Sequence, residues 1–315
     1  MATLKDIAQR AGVTATTVSR VINNRGYISE GTRKKVYAAM EEMHYQPNEL
    51  ARAFSKQYTN TIGLIVPHIS HPFFIKVISN LESSAAEKGF KLLLCNSKEQ
   101  PEKEQDYLDM CISNRVAGIV LCSKYVQTRE FRKMNIPVVN LERGGDDDTI
   151  SVQCDNYQGG KLAAEHLIEC GCKNLLHFGG VAGKDMPADR RADGFSDVCK
   201  KAGIPYRILV SDRLQYGSMH YEDFIRRALQ EFPDVDGIFA SSDLIASQVI
   251  QVGAQMDKHV PEDIQLVGFD DVMISTVTTP QITTIHQPVE EMAELCVEYI
   301  TKSLKNEPVP QKIVL

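Results

Sequence analysis

An all-α head built on a helix-turn-helix, followed by an α/β core of two doubly wound parallel-sheet lobes, is the fold this sequence predicts. Three observations predict it. Between Leu4 and Met43, apolar residues recur at helical spacing on either side of a glycine turn. From residue 61 onward, short unbroken apolar runs alternate with longer amphipathic stretches, as buried parallel strands and their crossover helices do. That rhythm pauses near Asp155 and restarts, which divides the core into two series. A chain of 315 residues with 43% hydrophobic content has room for one small head and two such lobes.

In the head, Leu4, Ile7, Ala8 and Ala11 form one apolar stripe. Gly12 supplies a tight turn, Val13 fills the corner, and Thr14 is a good N-cap for a second helix. Val18, Val21 and Ile22 face inward on that helix, leaving Ala15, Thr16, Ser19, Arg20 and Asn23 outward. A small, polar, singly basic face at a helix start suits base edges and phosphates. Ser29 to Met43 makes a third helix with Val36, Ala39, Met40 and Met43 on one side. Pro47-Asn48 then signals a further helix start, ahead of the polar stretch Lys56 to Thr61.

Charge sharpens this reading. The chain carries a formal net charge of −6, which by itself argues against a nucleic-acid partner. Residues 1–60, however, hold nine Lys and Arg against five Asp and Glu, a net of +4, and the remainder holds 26 against 36, a net of −10. A basic head can track phosphates while an acidic body stays off the duplex.

The core elements follow in order. Strands are expected at 62–66, 91–95, 118–122 and 137–141, with helices at 74–88, ended by Gly89, and at 101–115. The second series runs helix 158–170, strand 174–178, helix 190–202, strand 206–210, helix 218–231, strand 237–240, helix 243–255 and strand 265–269. Open α/β lobes bind ligands at the carboxyl ends of their strands. Those ends carry Phe73 and Phe74, Asp155 and Asn156, Asp185 to Arg191, Ser242 and Asp243, and Asp270 and Asp271. Carboxylates, amides, an arginine and aromatic faces around a cleft are what a polyhydroxylated sugar needs. Phe73 and Phe74 also fit a core role, and Asp155 and Asp243 also fit helix caps. His68 and His71 read as loop residues. Arg190 beside Arg191 leaves two ligands open: a sugar phosphate if both line the cleft, a neutral sugar if Arg190 faces solvent.

Other classes lack their signals. Gly179-Gly-Val-Ala-Gly-Lys-Asp185 is one residue short of a phosphate loop and has Asp where Ser or Thr would meet Mg²⁺, and the sequence contains no nucleophile elbow or zinc-protease motif. No catalytic residue, metal site or cofactor is expected. Met1-Ala-Thr-Leu-Lys5 has no apolar leader and no run of eighteen apolar residues occurs, so a cytoplasmic protein without a membrane partner is expected. The eight cysteines then read as reduced, small hydrophobes.

The motifs are also dense enough to carry a resemblance. Asp6-Ile-Ala-x-x-Ala-Gly-Val-Thr14, Thr17-Val-Ser-Arg-Val-Ile-Asn23, Thr32-Arg-x-Lys-Val36, Tyr45-x-Pro-Asn48 and Ala51-Arg52 resemble the headpiece of the LacI/GalR family of bacterial transcription regulators. Ile62-Gly-Leu-Ile-Val-Pro67, Pro72-Phe-Phe74, Arg191-x-x-Gly-Phe195, Val267-Gly-Phe-Asp270 and Pro280-Gln-Ile-Thr-Thr-Ile-His-Gln-Pro288 are similar to that family's periplasmic-binding-protein-like core. Asp155-Asn-Tyr-Gln-Gly-Gly160 and Leu94-Cys-Asn-Ser97 look most similar to sucrose- or fructose-type operon repressors.

The resemblance implies a repressor of a sugar-utilisation operon, a homodimer on double-stranded operator DNA, with a sugar or sugar phosphate between the lobes as effector. It places Ala15, Thr16 and Arg20 on bases, and Thr3, Thr17, Ser19, Asn23, Ser29, Thr32, Tyr45 and Asn48 on phosphates. Asn48 to Ser55 resembles a hinge helix that enters the minor groove with Ala51 and Phe54, where most members carry Leu instead of this Phe. The effector residues are Phe73, Phe74, Asp155, Arg191, Ser242 and Asp270. An alternative within the family is a global carbon-catabolite regulator with a phosphoprotein corepressor, although helix 74–88 shows no dominant basic patch. The expected divisions are a head at 1–46, a hinge and linker at 47–60 and a core at 61–315. Within the core, the first lobe takes about 61–157 and 289–309 and the second about 158–288 and 310–315.

Overall fold

Each of the three head helices begins on a hydroxyl. The structure, a computed structural model, describes residues 2–23, 25–45, 57–123, 136–143, 149–181 and 186–315. Thr3 accepts the Asp6 amide while Asp6 accepts the Thr3 amide, a capping box that starts α1 (Leu4–Ala11). Gly12 ends α1 at φ 65°, the left-handed conformation that glycine adopts without steric penalty. Thr14 caps α2 (Ala15–Ile22) by accepting the Thr17 amide at 3.1 Å, and Ser29 caps α3 (Glu30–Glu42). Ile7, Ala8, Val18, Val21, Val36 and Ala39 are buried together, with Val13, Ile22, Met40 and Met43 packed around them. The helical spacing predicts this cluster. Arg10 grips Glu42 with bonds of 2.9 and 2.6 Å, but both side chains are more than half exposed and the pair adds little stability. Thr14→Ala is expected to cost the head about 1 kcal/mol, read as faster hydrogen exchange of the α2 amides.

The core forms a separate unit, residues 60–315. Its first sheet holds β1 (Thr61–Val66), β2 (Lys91–Asn96), β3 (Gly118–Leu121), β4 (Val138–Leu141), β5 (Ile150–Gln153) and β11 (Lys312–Val314), in the order β2-β1-β3-β4-β5-β11. The second holds β6 (Leu175–Val181), β7 (Tyr206–Ser211), β8 (Gly237–Ala240), β9 (Gln265–Asp270) and β10 (Thr283–His286), in the order β7-β6-β8-β9-β10. Every pairing among the described residues is parallel. Among the described residues of the core, the α-helices are α4 (Pro72–Glu87), α5 (Pro101–Ser113), α6 (Asn156–Glu169), α7 (Arg190–Ala202), α8 (Arg213–Ser218), α9 (Glu222–Glu231), α10 (Asp243–Gln255), α11 (Met273–Val277) and α12 (Val289–Leu304). The chain crosses from the first lobe to the second just before α6 and returns just before α12. No helix among the described residues is long and apolar enough to cross a membrane. All eight cysteines are free thiols and seven are buried.

Two expectations are corrected. Residues 310–315 join the first lobe, not the second. β11 pairs with β5, whose outer edge would otherwise leave backbone groups open: the Ser151 amide donates to Gln311, and the Leu315 amide to Gln153. The helix expected at 218–231 begins only at Glu222, and a separate short helix precedes it. Asp212 and Gln215 form a capping box that starts α8 early, and Met219 then breaks the run at φ 60°.

Glycines set how closely α6 and α7 approach. A Cβ at Gly194 would land on the Tyr157 carbonyl oxygen, and one at Gly160 on the Arg191 carbonyl oxygen. The two backbones therefore touch, which fixes Arg191 in the first turn of α7. Gly194→Ala is expected to destabilise the core by about 3 kcal/mol, the upper end for overpacking, because backbone yields less than a side chain. Urea denaturation measures this.

Candidate effector cleft and nucleic-acid interface

The carboxyl ends of both sheets open onto one cleft of about 970 Å³, its mouth included. From the first lobe come Pro67, His71, Phe73 and Phe74 after β1, Glu99 after β2, Ser123 after β3 and Glu142 after β4. From the second come Arg191, Tyr216 of α8, Ser241 and Ser242 after β8, and Asp270 at the end of β9, with Gln287 from the return crossover. This is where open parallel sheets hold ligands.

Arg191 and Asp270 form the polar centre of the cleft. Arg191 Nε donates to Asn156 Oδ1 at 2.7 Å and Nη1 donates to the Ser241 carbonyl at 2.5 Å. The guanidinium lies 3.5 Å over the Phe269 ring, a desolvated cation–π contact. Asp270 stands 3.8 Å from Nη1, beyond hydrogen-bond range, and its Oδ1 accepts Gln287 Nε2 at 2.5 Å. Both side chains are buried. Burial pushes the Asp270 carboxyl up to about 8, against the opposing pull of Arg191. Each charged group is thus oriented by an amide, and neither is consumed in a direct ion pair.

Of the six predicted effector residues, the cleft gathers Phe73, Phe74, Arg191, Ser242 and Asp270. Asp155 is excluded. It is exposed and caps α6, accepting the Gln158 amide at 2.9 Å, so its neighbour Asn156 is the one that turns inward. Ser242, which also lines the cleft, caps α10 in place of Asp243. Asp243 is fully buried, accepting the Val272 amide at 2.9 Å and the Thr284 hydroxyl at 2.5 Å. His71 is no plain loop residue: its Nδ1 accepts the Phe73 amide at the start of α4, and burial holds its pKa down to about 4. Arg190 faces solvent, pairing with Asp193 at 3.0 Å outside the cleft. Lys76, on the helix a phosphoprotein would dock against, turns inward to the Asp271 carbonyl at 3.2 Å and Glu290 at 3.7 Å. Sequence reading missed Glu142, Gln287 and Tyr216, and it placed Asn156 at a strand end without choosing it over Asp155. Asn156 and Gln287 lie within quoted motifs, but only the fold shows which way they point.

In the head, Thr16, Ser19 and Arg20 line a shallow concavity with Arg25 and Gly26; the last two were not foreseen. Ala15 lies partly covered beside this face at the start of α2. The hydroxyls of Thr3 and Ser29 serve as helix caps, and those of Thr17 and Thr32 each lie 2.9 Å from the cap hydroxyl of their own helix. Asn23 Nδ2 donates to the Ser19 carbonyl at 2.8 Å, and Tyr45 packs against the head core. Helix starts with open hydroxyls and amides are natural phosphate sites. Asn48, Ala51 and Phe54 lie outside the described residues.

Comparison with known proteins agrees with this division. Residues 3–48 match the lacI family of bacterial regulatory proteins, and residues 164–315 match the periplasmic binding protein-like domain. The ribose operon repressor of Halalkalibacterium halodurans is 33% identical, covering 100% of this chain and 96% of its own length. The sucrose operon repressor of Pediococcus pentosaceus is 35% identical, over 96% of this chain and 92% of its own. A periplasmic binding protein/LacI transcriptional regulator from Alkaliphilus metalliredigens, solved in complex with D-xylulofuranose, superposes with a TM-score of 0.74 at 32% identity, covering 82% of this chain and 96% of that one. With full-length relatives above 30% identity and a matching head and core, the chain belongs to the lacI family of bacterial regulatory proteins.

Proposed function

We propose that this protein is an operon repressor whose hold on DNA is set by a neutral sugar bound in the cleft. The charge of the cleft carries the reading. Among its described lining residues, Arg191 is the one cation, alongside the acidic side chains of Glu99, Glu142, Asp189 and Asp270. A phosphate would meet mostly like charge, whereas hydroxyls can both accept from Arg191 and donate to Asp270. Phe73, Phe74 and Tyr216 offer faces for the apolar side of a sugar ring. Named relatives that act on ribose and sucrose operons, and a neighbour holding D-xylulofuranose, support the same ligand class.

On DNA, Arg20 and Thr16 read bases in the major groove while Ala15 meets a thymine methyl. The head helix starts and Asn23 hold phosphates. A second copy completes the operator, with Asn48, Ala51 and Phe54 as the hinge at the minor groove. The exposed apolar residues Ile75 on α4 and Met273 and Val277 on α11 suit a homodimer contact. Sugar binding changes the angle between lobes and so the separation of the paired heads. The protein acts in the cytoplasm, on a sugar-utilisation operon.

Thermal-shift titrations with D-ribose, D-xylulose, sucrose and cellobiose, each beside an available phosphorylated counterpart, test the ligand class. A neutral sugar is expected to raise the melting temperature of the core, and Arg190→Ala is expected to leave its affinity unchanged. Stabilisation by the phosphorylated forms alone, lost in Arg190→Ala, would overturn the reading.

A further inference from the structure

A chain of buried hydrogen bonds runs from the first lobe into the back of Arg191. Glu142, just past the end of β4, accepts the Cys154 amide on Oε1 at 2.5 Å and Asn156 Nδ2 on Oε2 at 3.0 Å. Asn156, at the crossover between lobes, passes the contact on by accepting Arg191 Nε on Oδ1 at 2.7 Å. All three side chains are 9% exposed or less. Glu142 is held at φ 48°, a left-handed backbone that a non-glycine residue keeps only where its surroundings over-determine it.

The polarity of this chain allows one arrangement. An arginine can only donate, so the Asn156 oxygen must face Arg191 and its NH₂ must face Glu142. Glu142 must then accept on both oxygens, Oε1 from the Cys154 amide and Oε2 from Asn156, which a carboxylate can do and a side-chain amide, with one oxygen, cannot. We propose that Glu142 and Asn156 are positioning residues: a two-link relay by which the first lobe aims the second lobe's effector-facing arginine. A change in lobe angle alters the pull on Nε, so lobe geometry and the aim of Arg191 form one equilibrium. The effector role of Arg191 rests on the function proposed above; the relay does not.

The test exchanges the two functional groups. In Glu142→Gln, whichever way the amide turns, its NH₂ faces another donor, either Cys154 N or Asn156 Nδ2. In Asn156→Asp, a carboxylate oxygen faces the Glu142 carboxylate and the Cys154 carbonyl, which Asn156 Nδ2 also reaches at 3.2 Å. The double variant E142Q/N156D restores a donor facing an acceptor at the first link and keeps the acceptor for Arg191. Protein labelled with ¹⁵N-arginine, free of any sugar, reports the Nε–H of Arg191, assigned by its loss in Arg191→Lys. The parent resonance is expected to exchange slowly with water. Each single variant is expected to speed exchange by roughly tenfold or more, as loss of a bond to a charged group implies. The double variant is expected to recover most of that protection.

Fast exchange in the parent, unchanged exchange in both single variants, or a double variant as exposed as the sum of the two would overturn the relay. Single variants that fail to fold beside a folded double variant would support it, and failure of all three to fold would count against it. None of these readings needs a sugar, so a failed sugar screen and a failed relay are told apart.

Discussion

Arg191→Met is expected to abolish the response to sugar while leaving the head's hold on DNA intact. The side chain donates to Asn156 and to the Ser241 carbonyl, covers the Phe269 ring and faces Asp270, all out of water. Removing one member of such a buried polar set leaves its partners unpaired and costs about 2–5 kcal/mol, or roughly 30- to several-thousand-fold in affinity. Arg191→Lys is expected to do almost as badly, because an ammonium cannot reproduce the planar fork that meets Asn156 and Ser241 together. Calorimetric titration with the neutral sugar that binds the parent measures both. An affinity within threefold of the parent in Arg191→Met would remove this residue from the effector site.

The affinity for that sugar is expected to rise with pH between about 6 and 8 and then level off. Burial raises the Asp270 carboxyl to about 8, from the model-compound value of 3.8, so at pH 6 it is protonated. A hydroxyl that donates to Asp270 is held more strongly by the carboxylate than by the neutral acid, and binding therefore favours release of a proton. Below the raised value, each pH unit is worth up to about 1.4 kcal/mol, or tenfold. Titrations in two buffers of different ionisation enthalpy count the proton released. Affinity in Asp270→Asn should be weaker and flat with pH. His71 stays neutral throughout, with its pKa held down to about 4.

Stability is expected to move the opposite way. A raised folded-state value gives stability that is fully present below the unfolded value and is lost as pH climbs through about 8. Asp270→Asn should therefore flatten the fall in unfolding free energy between about pH 4 and 8. Asp243, raised by burial to about 6, titrates in the same range and its charge helps to raise Asp270, so the difference between parent and variant reports Asp270 together with its coupling to Asp243. A parent whose sugar affinity is flat from pH 6 to 8 would contradict the proposed contact between Asp270 and the ligand.

The helices of the head were legible because their signals are local. Thr14 and Gly12 mark ends, and the Val18–Val21 spacing marks a face, with no help from distant residues. In the core, α7 and α10 keep their predicted limits; Gly203 ends the first, while the second is capped by Ser242 and not by the expected Asp243. β5 escaped because Ile150-Ser-Val-Gln153 alternates, and an edge-side strand lacks the unbroken apolar run of β1 or β3.

The site was legible in part. Residues at strand ends, such as Phe74, Ser242 and Asp270, follow from the rule for open sheets. Asp155 and Asn156 are neighbours of similar chemistry, yet the first turn of α6 points one to solvent and the other at Arg191. Glu142 and Gln287 meet Asn156 and Asp270 only through the two crossovers, and no spacing in the sequence encodes that meeting.

Fluorescence anisotropy of a labelled near-palindromic operator, selected from random DNA and titrated with full-length protein, tests the central claim most directly. The account predicts sequence-selective binding that weakens steeply with salt. It also predicts that one neutral sugar shifts the operator affinity by about tenfold or more, in a direction set by which lobe geometry that sugar favours. Selective binding that no neutral sugar alters, or binding indifferent to DNA sequence, would contradict it.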